Sequence, residues 1–296
     1  MASSTSFEMP KAASEGFKDG KAYDAHRPSY LPEAVQALLE KLKVAGKPGA
    51  RIIEVGSGTG KFTEVLARRP ENFEIVAIEP LDSMRKQLED KNLDGVKVLD
   101  GQATLLPVEG AWGDACIVAQ AFHWFATDEA LDEMARVLKP MAVLGLVWNI
   151  EDYNKPMSWP ASTQWEQKLS DFVHALPEDG HLRFRHSKWQ EVFTRQLSNN
   201  PIRALRDGMA DHLPRFSLPI GEQRIPFTVW LEKDAMWKRI NTLSQVAVLK
   251  DAQKDEARRI FDQALEGPDV ERNDKGEIAL HDITYLAWTD KIGGGY

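Results

Sequence analysis

A single cysteine, Cys116, stands in an apolar run of the 296-residue chain. No intrachain disulfide can form, and nothing in cysteine usage points to an oxidising compartment. No window approaches the ~18 consecutive apolar residues of a membrane span, and Met1–Gly20 is rich in Ser, Ala and Lys without the apolar stretch of a signal peptide. A cytoplasmic location is therefore expected. Positive charge is in deficit, with 37 Lys and Arg against 45 Asp and Glu and a net charge of −8. Phosphate backbones and anionic lipid repel such a chain, so neither nucleic acid nor membrane is expected as a partner. Internal repeats are absent, which excludes solenoids and propellers. His174, His181, His186 and His212 come without an H-E-x-x-H pattern or a cysteine cluster, so no metal site is expected.

The chain does have the makings of a large core, with 43% hydrophobic and 28% charged residues, near the average for folded soluble domains. Helix and strand patterns alternate along its first half. Val35, Leu38, Leu39 and Leu42 follow helical spacing after Pro32, and an apolar strand spans Arg51 to Val55. A helix with Phe62, Val65 and Leu66, a strand from Phe73 to Ile78 and a helix with Leu81, Met84 and Leu88 come next. Further strands are expected at Val96–Leu99, Ala115–Ala119 and Met141–Trp148, with a helix bearing Leu131, Met134, Ala135 and Leu138 between the last two. This order implies an α/β fold, a doubly wound Rossmann-like and mostly parallel seven-stranded sheet with helices on both faces. The pattern changes after Asn149, where Trp, His and Pro become frequent. Residues 1–30 are expected to be a mobile N-terminal lid, 31–150 the ligand-binding core, 151–215 a helical cap insertion, and 216–296 the rest of the core. In the last part a strand is expected at Ile225–Leu231, two helices within Lys233–Leu265 and strand character at Ile278–Trp288.

The sharpest signal is Glu54-Val55-Gly56-Ser57-Gly58-Thr59-Gly60, placed where the first strand gives way to a helix. In an open α/β sheet that turn borders the crevice at the carboxyl ends of the strands, where ligands bind. Nineteen residues after Gly60, Glu79 ends the second strand, a position from which a carboxylate accepts both hydroxyls of an adenosine ribose. The dinucleotide pattern G-x-G-x-x-G fails, because Lys61 or Thr63 stands at the third glycine. The phosphate-cradling P-loop fails because Phe62 follows Gly60-Lys61. Glu54 would repel a phosphate yet can hold an ammonium, and a nucleoside joined to an amino acid fits this turn better than a pyrophosphate does. S-adenosyl-L-methionine has that chemistry.

Four signatures in order make the match more specific: Tyr23-Asp24-Ala25-His26-Arg27-Pro28-Ser29-Tyr30, Glu54 to Gly60, Phe122-His123-Trp124-Phe125 and Val147-Trp148-Asn149. Through them the chain resembles class I S-adenosylmethionine-dependent methyltransferases of the methyltransferase domain 11 type, and among these the small-molecule group that contains the trans-aconitate methyltransferases. The resemblance covers about Tyr23 to Asn149. It implies that Tyr23 and Arg27 close over the methionine part of the cofactor, that Glu54, Gly56, Ser57, Gly58 and Gly60 cradle it, and that Glu79 with Pro80 holds the ribose. Met84, Gln102 and Ala103 would flank the adenine, and Gln120 would lie at the methionine end. Gln102 departs from the acidic residue usual there, although its amide oxygen still accepts a hydrogen bond. His123 is the candidate general base, with Trp124, Trp148, Asn149 and Trp159 as candidate acceptor contacts. The activity so implied is methyl transfer to a small organic acceptor, such as a carboxylate or a secondary metabolite. A cofactor-binding regulator without methyl transfer is the alternative, and a nicotinamide oxidoreductase a more distant one. Plainer roles compete residue by residue: Met84 as core packing, Arg27 as a surface ion pair, His123 as a pocket wall and the cap tryptophans as the cap's own core.

Overall fold

The computed structural model describes residues 29–177, 179–198 and 214–292. The expectations for Tyr23, Arg27 and most of the N-terminal lid lie outside these residues. Helix α1 (Pro32–Lys41) starts on Pro32, whose missing N–H costs nothing in a first turn, and buries Val35, Leu38 and Leu39. Strand β1 (Arg51–Val55), helix α2 (Lys61–Ala67), strand β2 (Glu74–Ile78), helix α3 (Asp82–Asp90) and strand β3 (Val96–Leu99) follow, then β4 (Gly113–Ala119), α4 (Asp128–Val137) and β5 (Leu138–Glu151). The central strands read as nearly unbroken apolar runs because helices cover them on both faces. Thr127 opens α4 by accepting a hydrogen bond from the Ala130 amide at 3.2 Å.

Seven strands form one sheet, in the order β3-β2-β1-β4-β5-β7-β6, with β6 at Gly221–Leu231 and β7 at Ile278–Asp290. β1 to β5 are parallel, while β7 runs antiparallel to both of its neighbours. The doubly wound α/β expectation therefore holds. Two strands begin three or more residues before their sequence pattern suggests. β5 begins at Leu138 rather than Met141, and Leu138 pairs with Gly113 before the register jumps to Val143 opposite Ala115. The bulge between them accommodates Pro140, which has no N–H to give, and Met141, at φ 63°. β6 begins at Gly221 rather than Ile225, because its first residues are polar and, at the edge of the sheet, only half-buried.

Beyond β5 the chain builds a second layer. Helix α5 (Gln164–Ala175) shares a core with α7 (Lys233–Ile240), α8 (Ser244–Ala247) and α9 (Asp251–Ala264) through Trp165, Leu169, Met236, Val246 and Phe261. Lys233–Leu265 thus holds three helices where two were expected. Phe184, Trp189 and Phe193, the last on α6 (Glu191–Ser198), instead join the sheet's own core beside Trp148 and Tyr285. Among the described residues, no helix is long and apolar enough to cross a membrane.

Candidate functional site

The glycine turn closes the carboxyl end of β1. Gly56 and Ser57 both donate their amides to the Ile78 carbonyl at the end of β2, at 2.9 and 3.1 Å, which folds the turn back over the crevice. Gly56, Gly58 and Gly60 all have positive φ, where a side chain is strained. Their surroundings differ. A Cβ on Gly60 would stand 2.2 Å from Leu88 Cδ1, and one on Gly56 would stand 2.9 Å from Ala121 Cβ. These two glycines are required by packing. A Cβ on Gly58 would meet only Met84 Sδ, at 3.8 Å, so the room beside Gly58 belongs to no side chain of the described protein.

Glu79 links the two walls of this crevice. Its Oε2 accepts from the Gly58 amide and its Oε1 from the Leu81 amide, both at 2.9 Å. Burial raises its pKa against the pull of those two amides. Each oxygen keeps a second lone pair for a hydroxyl donor. Met84 is buried on α3 against the turn. Gln102 and Ala103 lie on the loop after β3, Gln102 half-buried and forming an isolated bridge with Leu105.

Glu54 is wholly buried, and neither carboxylate oxygen accepts a hydrogen bond from the described residues. Burial pushes its carboxyl up to about 8. The Ser57 hydroxyl beside it is likewise buried without a partner among the described residues. Orphaned acceptors at a glycine turn fit a ligand that brings its own donors, as the ammonium of an amino acid does.

At the end of β4, Gln120 sits at φ 61°, a strained angle for a residue with a side chain. Two bonds hold it there: its amide donates to the Val147 carbonyl at 2.8 Å and its Nε2 to the Asn149 carbonyl at 3.0 Å. The next turn, Phe122–Trp124, carries His123. The Trp148 indole Nε1–H donates to His123 Nδ1 at 3.2 Å. An indole nitrogen only donates, so Nδ1 is the acceptor and the proton of the neutral ring resides on Nε2. With this tautomer, a general-base role at Nε2 requires moving the existing proton to Nδ1 and breaking the Trp148 bond.

His123 borders a pocket of about 590 Å³ of non-atom space, open mouth included. Gln120, Trp124, Trp148 and Asn149 line it from the core, and Asn154, Arg183, Phe184, Arg185 and the segment Thr242–Gln245 from the second layer. Four of the expected site residues are thus brought together with His123. Trp148, however, is fully buried and reaches the site through His123, and Asn149 has its side chain bound to the Thr284 hydroxyl at 2.7 Å and to the Ser29 carbonyl. Trp159 does not line the pocket. It packs against Phe184 and Tyr285, with the Arg224 guanidinium 3.7 Å from its ring centre. Arg183, Arg185 and the Thr242–Gln245 segment were missed. Only Arg183-Phe184-Arg185, a basic pair in a His- and Trp-rich stretch, left a trace in the sequence.

Comparison with known proteins agrees with this geometry. Residues 53–146 match the family model described as a methyltransferase domain. An uncharacterised methyltransferase-like protein of Schizosaccharomyces pombe is 35% identical over 172 residues, covering 58% of this chain and 62% of that one. An uncharacterised methyltransferase of Mycobacterium tuberculosis is 41% identical over 133 residues, covering 44% and 50% respectively. The chain thus spans about half to three-fifths of the length of these relatives. A candidate type II methyltransferase from Anaeromyxobacter dehalogenans shares the fold at a TM-score of 0.57 and 19% identity, covering 90% of this chain and 99% of that one. S-adenosylmethionine is the cofactor of this class, and the orphaned Glu54 carboxyl, the open flank of Gly58 and the Glu79 carboxylate suit it. Residues 53–146 thus match a methyltransferase domain, and the chain is similar to S-adenosylmethionine-dependent methyltransferases of class I.

Proposed function

We propose that the protein transfers a methyl group from S-adenosylmethionine to a small organic acceptor held between the sheet and the second layer. The observation that carries this reading is the adjacency of two spaces at the carboxyl ends of the parallel strands: the glycine crevice at β1 and β2, and the pocket at β4 and β5. When bound, the cofactor supplies a sulfonium-activated methyl group whose transfer needs no metal.

The chain's own residues then have three tasks. Glu54 holds the cofactor ammonium and Glu79 the ribose hydroxyls, with Gly58 leaving room for the ligand and Met84, Gln102 and Ala103 flanking the base. Pro80 keeps the Glu79 turn in shape. Gln120, fixed in its strained conformation, marks the border between the two spaces. His123 orients the acceptor by donating from Nε2, and Trp148 acts as the positioning residue that keeps that tautomer. Orientation of this kind, with water excluded, contributes up to roughly 7–11 kcal/mol in well-aligned reactions.

Calorimetric titration tests the cofactor, and a tritiated-methyl transfer screen against small-metabolite pools tests the transfer. S-adenosylhomocysteine is expected to bind at one site while NAD does not, and label is expected to appear in a small product. Tighter binding of NAD would overturn the reading; binding without label in any pool would favour a regulator.

A further inference from the structure

Two arginines reach the pocket from the 3-10 turn Phe184–His186 and the residue before it, and their surroundings are unequal. Arg183 is satisfied. Its two terminal nitrogens donate to the Asp179 carboxylate, and its Nε and Nη2 donate to Ser244 Oγ at 3.1 and 2.9 Å. Arg183 in turn holds Asp179 down to about 2, so that carboxylate is committed to its partner.

Among the described residues, Arg185 has no such counter-ion. Its Nη1 donates to Asn154 Oδ1 at 3.0 Å, a neutral acceptor, and its Nε is buried with no hydrogen-bond partner among the described residues. Burial first, and then the neighbouring Arg183 charge, bring its pKa down to about 10, so it stays charged at neutral pH. No Asp or Glu is among the described residues that line the pocket. In a chain with a net charge of −8, this is a locally cationic site. A half-buried cation without a counter-ion is costly, and a guanidinium with free N–H groups is a fork suited to carboxylate or phosphate oxygens.

We propose that the methyl acceptor carries an anionic group, a carboxylate or a phosphate, which Arg185 grips as a handle while the reacting atom lies toward His123 and Gln120. This inference rests on the methyltransferase reading and narrows its substrate class. Arg185 is held at Asn154 on the second-layer side, whereas Gln120 and His123 follow β4. The group that is gripped and the group that is methylated are accordingly different, and the product keeps its anion. Cationic amines are repelled.

The test uses the full chain saturated with S-adenosylhomocysteine and a set of probes of one size: propionate, propyl phosphate, propionamide and propylamine, titrated by ligand-observed NMR. At least one of the two anions is expected to bind ~tenfold or more tightly than the amide and the amine, and their order tells carboxylate from phosphate. Arg185→Gln is expected to weaken the anion ~tenfold or more while leaving the S-adenosylhomocysteine Kd unchanged, and Arg185→Lys to recover part of the loss. Asn154→Asp, which supplies an internal counter-ion, is expected to weaken the anion as well and guards against a folding artefact of the first variant. Anion binding unchanged in Arg185→Gln, or propylamine binding as tightly as propionate and propyl phosphate, overturns the proposal with the methyltransferase reading intact. Failure of the wild-type chain to bind S-adenosylhomocysteine at all overturns the reading beneath it.

Discussion

Single residues at this site do separable jobs, and substitution tells them apart. Gly58→Ala puts a Cβ at φ 57° with only Met84 Sδ nearby, so a loss of about 1 kcal/mol in stability is expected together with a clear loss of S-adenosylhomocysteine affinity. Gly60→Ala drives the same atom into Leu88 and is expected to cost more stability, about 1–3 kcal/mol beyond the backbone strain. Thermal unfolding beside a ligand titration checks both. His123 gives a second contrast. As an Nε2 donor it is expected to lose ~10²-fold or more in kcat as His123→Phe and to be partly rescued as His123→Gln. Glu54 gives a pH dependence whose sign is fixed by its raised pKa. A carboxyl that is easier to protonate in the folded state stabilises the ligand-free protein fully below pH ~4.5, and that contribution is lost as pH rises toward about 8. Urea unfolding at pH 5 and pH 9 is expected to differ by less in Glu54→Gln than in the parent chain. The glycines, Glu54 and Glu79 were legible because their chemistry is local: a turn, a strand end and a fixed interval. Arg185 was not, since its meaning is the absence of a counter-ion, which only the packed chain reveals.

Elements show the same division. β1, β2 and β4 could be read to within two residues at either end because both faces of each strand are covered and the apolar run is nearly unbroken. β6 was cut short because an edge strand has one unpaired side and half-open faces, so its polar beginning carries no pattern. The second layer was less legible still, as α5 finds its partners, α7 and α9, on the far side of β6 in the sequence. What joins this layer to the sheet includes a buried triad. Arg239 on α7 bonds to Glu151 at the end of β5, at 3.4 Å, and to Asp282 on β7. Burial and the nearby Glu151 raise the Asp282 pKa against the pull of Arg239. Arg239→Met strands two buried carboxylates and is expected to lower stability by ~3–5 kcal/mol near neutrality. Because those carboxyls neutralise on protonation, the loss is expected to be smaller at pH 5 than at pH 8, as denaturant midpoints at the two values would show.

At the scale of the whole molecule, the placement of β7 governs more than the sheet order. β7 lies between β5 and β6 and pairs with β5 along Val143–Glu151, the stretch that contains Trp148 and Asn149. Thr284 of β7 also holds the Asn149 side chain, and Asp282 completes the triad at Glu151. Until Ile278–Asp290 has been made, β5 has an open edge, Arg239 lacks one of its two carboxylates and the wall of the acceptor pocket is unsupported. A ribosome-bound chain arrested after β6 would therefore hold a glycine crevice without a finished acceptor chamber, and its long-range pairing is a slow kind to form. Arrested chains of increasing length are expected to gain protease resistance across residues 143–151 only once β7 has left the exit tunnel, with protection of β1 and β2 arising earlier. In the cell the interval between these two events is a period of exposure in which the apolar flank of β5 is open to a chaperone, and the arrival of β7 is what ends it.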